Sequence, residues 1–193
     1  WSGGGDPMAP GSPFGLIAPA LRREAGVLEG EAPALRRQKL RARVGRHLGR
    51  EHEVQRIAEF IGEIAGVPFP EEESVQLRAA RRDAQLMGDQ TRRAWVDFLD
   101  AATAAQPLLL LLEDLHWADR PTIAYVDEAL RRLPERPWMV LGLARPEVHE
   151  AFPGLWAERQ PQEIRMKPLS PRACARLVRQ VLGEQVGAET VER

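Results

Sequence analysis

The chain has 193 residues, 44% of them hydrophobic and 28% charged, with a formal net charge of −1 at pH 7. These values describe a globular protein of one domain or slightly more, able to bury roughly 70% of its unfolded surface without disulfide or metal staples. They argue against a dedicated nucleic-acid binder, which carries a clear basic excess. The single cysteine, Cys174, excludes an intramolecular disulfide framework and a multi-cysteine zinc site.

No charged leader followed by an apolar run is visible after Trp1, so no signal peptide is expected. The longest apolar run, Pro107 to Leu112, is far shorter than the roughly 20 residues a bilayer requires. A cytoplasmic protein with no membrane partner is the expectation. Lys39 and Lys167 are the only lysines, an arginine bias that reads as the codon usage of a GC-rich bacterial genome. The final Thr190-Val191-Glu192-Arg193 closes no recognisable element, so the chain reads as a piece of a longer protein.

Residues 1–13 are rich in Gly, Pro and Ser and are expected to form a loop. Their glycine run lacks the lysine and Ser/Thr that a phosphate-cradling P-loop requires. Ser12-Pro13 suits a helix cap and first turn, opening a helix to about Ala25. A second helix over Ala34 to Leu48 carries Arg36, Arg37, Lys39, Arg41, Arg43 and Arg46 without an acid. The next, from about Glu51 to Ile64, sets Val54, Ile57, Ala58, Ile61 and Ile64 at helical spacing. Its acids face the basic helix before it, which favours mutual attraction of two solvated faces over a nucleic-acid patch. Val67-Pro68-Phe69-Pro70 interrupts the series. Helix resumes near Gln76 and again from about Thr91 to Ala105, where Ala94, Trp95, Phe98, Leu99 and Ala102 form a core stripe.

The pattern then changes. Leu108 to Leu112 is a short all-leucine run, Pro121 to Leu133 is helical, and Trp138 to Ala144 is a second uninterrupted apolar run. Strand, helix and apolar strand predict a parallel sheet covered on two faces, hence an α/β fold. A shorter strand is expected at Glu163 to Met166, and Ser170-Pro171 opens a last helix to about Leu182.

Ligands of open parallel sheets sit beyond the carboxyl ends of the strands. Beyond the leucine run stand Glu113, Asp114, Leu115, His116, Trp117, Ala118 and Asp119, and beyond the next strand stands Arg145. Two adjacent acids in that position suit Mg²⁺ held by carboxylate, water and phosphate oxygens.

The segment from Leu108 to Asp119 resembles the Walker B region of AAA-like STAND-class signal-transduction ATPases. These are P-loop NTPases of bacterial regulators, often joined to a serine/threonine kinase domain or to tetratricopeptide repeats. Leu143 to Glu147 is similar to the sensor segment of that family, and Leu169 to Leu177 to the segment that leaves its ATPase core. The resemblance covers about Gln106 to Leu182. It implies a partial P-loop NTPase sheet, ATP and Mg²⁺ as cofactors, and a nucleotide switch acting on other domains of a parent protein, with a nucleotide-dependent oligomer as one outcome.

The same resemblance implies that Glu113, where aspartate is commoner, organises Mg²⁺. Asp114 would polarise the attacking water or support the metal, and Arg145 would sense the γ-phosphate through charge-assisted hydrogen bonds. On a strand Glu113 and Asp114 would point to opposite faces, so they share a site only if the strand has ended. Arg145 has an ion pair with Glu147 or Glu113 as its structural alternative. Trp117 reads as loop packing before adenine stacking, and His116 as a loop anchor before a general base. Asp119 reads as the cap of the helix that opens at Pro121.

No GxxxxGK[ST] occurs in the chain, so the cradle for the β and γ phosphates is expected upstream. The fragment by itself is expected to bind ATP poorly. The organisation expected is a loop and helical insert over 1–105, a Walker B to post-sensor core over 106–183, and the start of another region at 184–193. Two alternatives are a degenerate NTPase-fold scaffold, with the 14–105 insert as its binding surface, and the ATPase module of a transcription regulator whose helix-turn-helix lies elsewhere.

Overall fold

The computed structural model describes residues 1–183, so the region expected to start at 184 lies outside the described residues. The chain divides into a unit from Trp1 to Arg159 and a second beginning at Gln160.

The first unit is mixed α/β. Its sheet has β2 (Leu108–Glu113) at the centre, flanked by β1 (Ser2–Gly4) and β3 (Trp138–Gly142), and both pairings are parallel. Ser2 lies opposite Leu111, and Leu108 opposite Trp138. The strand β1 corrects the expected loop at Ser2–Gly4, whereas residues 5–13 are turn and irregular chain as expected. Two glycines give these residues no strand propensity of their own, and β2 supplies the ladder that makes them one. A side chain at Gly3 would also stand 1.9 Å from the Leu16 carbonyl oxygen, so only glycine lets the following chain lie so close.

Between β1 and β2 come α1 (Ile17–Glu24), α2 (Pro33–Gly45), α3 (Glu51–Ala65), α4 (Val75–Arg81) and α5 (Ala84–Ala105). Between β2 and β3 comes α6 (Arg120–Arg132), which packs on α5. The expected helix from Pro13 starts instead at Ile17, because residues 12–15 form a turn with Phe14 at φ 59°. The helix expected at Thr91 starts a full seven residues earlier, where the Asp83 carboxylate accepts the Gln85 and Leu86 amides. Ser74 caps α4 through the Leu77 amide, and Gly66 closes α3 in the left-handed conformation that glycine adopts without a steric penalty.

Both crossovers step the same way across the sheet, and right-handed connections then put both sets of helices on one face. The strand β2 records this in its alternation. Leu108, Leu110 and Leu112 are buried, whereas Leu109 on the other face is 43% exposed. On β3, Met139 and Leu141 are 58% and 43% exposed. Among the described residues of the first unit, the sheet is therefore packed on one face and partly exposed on the other, where two covered faces were expected.

The packed side is the core. Trp95, Phe60 and Phe98 are among its largest buried side chains, and the Trp95 indole donates to the Tyr125 carbonyl at 3.0 Å. The stripe of α3 and the stripe of α5 face each other as their spacing predicts. The expected attraction of α2 for α3 is narrower than their compositions suggest, and Arg41 with Glu51 carries it. Other acids of α3 turn to α4: Glu59 accepts from the Ser74 hydroxyl at 2.7 Å and Glu63 pairs with Arg81 at 2.6 Å. Arg43 is buried against the Trp1 and Phe98 rings.

After β3 come α7 (Val148–Ala151) and a short 3-10 turn at Ala157–Arg159. In the second unit, the strand expected at Glu163 to Met166 is absent. These residues pair with no strand among the described residues, and Ile164 and Met166 are 73% and 87% exposed. Their alternating charges leave only two apolar side chains, too few to fix a strand without a neighbour. Helix α8 (Pro171–Leu182) forms as expected, with the Ser170 hydroxyl accepting from the Ala173 amide. Among the described residues no helix is long and apolar enough to cross a membrane.

Candidate functional site

The site is the turn at the carboxyl end of β2. The strand ends at Glu113, an exposed residue on the partly exposed side of the sheet by the alternation of β2. Asp114 then takes the left-handed conformation, φ 52° and ψ 43°. Aspartate is among the few non-glycine residues that tolerate this region, and such a residue at a strand end marks a place where the fold imposes the geometry. The strand has thus ended between the two acids, so strand alternation no longer keeps Glu113 and Asp114 apart.

A 3-10 turn, Leu115–Trp117, carries the chain across to Asp119, the cap of α6. Beyond β3 the ladder persists in two bonds, from the Leu143 amide to the Leu112 carbonyl and from the Leu115 amide to the Leu143 carbonyl, 2.8 and 3.0 Å. These bonds bring Arg145 to the same turn. Its backbone amide lies 3.4 Å from His116 Nδ1, and its guanidinium lies 5.8 Å from the centre of the Trp117 ring. His116 and Trp117 also touch, ring centres 4.4 Å apart. With Nδ1 facing a donor, the proton of a neutral His116 belongs on Nε2, which is buried without a hydrogen-bond partner.

The residues singled out in the sequence are therefore brought together: Glu113, Asp114, His116, Trp117 and Arg145 share one turn. His116 accepts from the Arg145 amide and packs on Trp117. Trp117 packs with His116 and Arg145. Arg145 makes no ion pair with Glu147 or Glu113 among the described residues, and its side chain lies on the indole. The Glu113 and Asp114 carboxylates have no ion-pair or hydrogen-bond partner there either.

Among the described residues no group of three or more His, Cys, Asp or Glu could hold a metal ion. The turn is no self-sufficient metal cage. Two neighbouring, unpaired carboxylates nevertheless match the protein's share of a Mg²⁺ shell, in which water and phosphate oxygens fill the other positions.

Behind the turn the side chains are buried or half-buried. Tyr125 of α6 meets Phe14 edge to face at 5.0 Å, its hydroxyl lies 2.5 Å from that of Thr91, and burial pushes its phenol pKa upward. Sequence reasoning missed Gly5. A side chain there would come within 2.6 Å of the Asp114 carbonyl oxygen and 3.1 Å of Trp117 Cβ. The signal available was a glycine run ending beside an aspartate, and it read as a flexible loop because its partner lies more than a hundred residues away.

No family model, no curated protein and no solved structure matches this chain.

Proposed function

We propose that this chain is part of a regulatory ATP-binding and ATP-hydrolysing domain, with a partial P-loop NTPase sheet, and that the turn after β2 supplies its Mg²⁺ and water-activating acids. One observation carries the reading: the Glu113 and Asp114 carboxylates, without partners among the described residues, stand at the carboxyl end of the central strand of a parallel sheet, with Arg145 brought beside the same turn. Carboxyl ends of parallel strands are where such folds bind ligands.

In this reading Glu113 organises Mg²⁺ and Asp114 orients or polarises the attacking water. Arg145 leaves the Trp117 face to meet the γ-phosphate, an exchange of a cation–π contact for a charge-assisted hydrogen bond. Mg²⁺ when bound neutralises the charge that gathers on the phosphoryl oxygens. The β and γ phosphates need a backbone cradle and a lysine, and these lie outside Trp1 to Arg193. The switch would act on other domains of the parent protein, such as a kinase or repeat region.

The test is ATP hydrolysis by the longest natural polypeptide that contains this chain. Glu113→Gln combined with Asp114→Asn is expected to abolish turnover, and Glu113→Gln alone to retain nucleotide while losing turnover. Unchanged hydrolysis in the double variant would remove the assignment.

A further inference from the structure

Asp119 does more than begin α6. Its carboxylate is 2% exposed and meets four uncharged donors. Oδ1 accepts from the Thr122 amide at 2.8 Å and the Phe14 amide at 3.0 Å, and Oδ2 from the Thr122 hydroxyl at 2.6 Å and the Gly15 amide at 3.1 Å. A helix cap needs only the Thr122 amide. The Phe14 and Gly15 amides belong to the segment that follows β1, 105 and 104 positions earlier in the chain.

That segment touches the acid-bearing turn twice more, through backbone alone. The Gly5 amide donates to the Glu113 carbonyl at 2.9 Å, and the Gly11 amide to the Trp117 carbonyl at 3.4 Å. Residues 5–15 therefore run beside residues 113–119 and are fastened along their length. Bonds to a buried carboxylate are the strongest of the set, because a carboxylate shielded from solvent gains most from each donor. Phe14 is also held at φ 59°, a conformation that bulky residues keep only when their surroundings impose it.

We propose that Asp119 is a positioning residue for Glu113 and Asp114. It clasps the 5–15 segment to the acid-bearing turn, so that the two move as one body and the acids keep a fixed place at the strand end. Its relevance to catalysis rests on the reading of Glu113 and Asp114 as the acids of a nucleotide site. The clasp itself does not.

Asp119→Ser separates capping from clasping, because serine is a strong cap and its single oxygen cannot hold Phe14 and Gly15 as well. The measurement is residue-resolved amide hydrogen exchange on the chain. The Thr122 amide is expected to stay protected, while Phe14 loses about tenfold in protection and Gly15, which also donates to the Ser12 carbonyl at 2.9 Å, loses less. The deciding amides are Gly5 and Gly11, which do not touch Asp119 and are expected to lose at least about threefold. Full protection at Gly5 and Gly11 would overturn the proposal, since Asp119 would then anchor only its direct partners.

Should the serine variant fail to fold, Asp119→Asn keeps the shape but accepts through one oxygen only, and a smaller loss at Gly5 and Gly11 is expected. No loss there would equally overturn the proposal. Mn²⁺, added as a paramagnetic probe, is expected to broaden the Glu113 and Asp114 amides in the parent chain and to do so more weakly in Asp119→Ser. Absence of broadening in both would count against the two acids as a metal site, and the exchange data would still decide the clasp.

Discussion

The two faces of β2 carry the same residue to opposite ends. Leu110 is fully buried in the core, and its neighbour Leu109 is 43% exposed on the far face. Nothing in five consecutive leucines distinguishes them. The difference comes from topology: two right-handed crossovers that step in one direction put α1 to α6, the helices they contain, on one side. Burial at a given leucine is thus decided by connections tens of residues away.

The largest expected effect sharpens this contrast. Leu110→Ala should lower stability by about 2–5 kcal/mol in chemical denaturation, because a cavity is left in a packed core. Next comes Gly5→Ala. Its methyl would press on the Asp114 carbonyl and on Trp117, and about 1–3 kcal/mol should be lost, as for other overpacked sites. Asp114→Gly should act in the opposite sense. Relief of the left-handed strain is worth up to about 1 kcal/mol, so thermal denaturation should show a stable protein that lacks one acid.

On the partly exposed face Leu141→Ser should change stability by no more than about 0.5 kcal/mol. A loss as large as that of Leu110→Ala would break the comparison, by showing that the exposed face is covered in solution. The smallest effect concerns pH. Burial, with Arg43 and Arg46 nearby, holds His47 below the usual imidazole range. The folded state therefore prefers neutral His47, and stability should decline as pH falls through about 6.5, the ordinary value of the unfolded chain. His47→Gln should flatten that slope in denaturation curves taken between neutral and mildly acidic pH.

Much of this architecture was legible because it rests on local periodicity. The stripe on α3 and the stripe of Trp95, Phe98 and Leu99 on α5 lie where their spacing puts them, and β2 was legible from the helix and apolar run that follow it. The acids, His116, Trp117 and Arg145 were legible as a site because one motif and one strand end carry them. What escaped depends on distant partners. Ser2–Gly4 is a strand only because β2 offers it a ladder, and Gly5 and Phe14 take their roles from a turn more than a hundred residues later. Glu163 to Met166 failed for the converse reason: a plausible alternation found no neighbouring strand.

The most direct test of the central claim, that Glu113 and Asp114 complete a phosphate site whose cradle stands elsewhere in the polypeptide, is to read the coding sequence upstream of the Trp1 codon for about a hundred codons. A strand pattern followed by GxxxxGK[ST] is the expected result. A start codon close to Trp1, with no such loop anywhere in the open reading frame, would contradict the claim and leave two acids and an arginine on a scaffold.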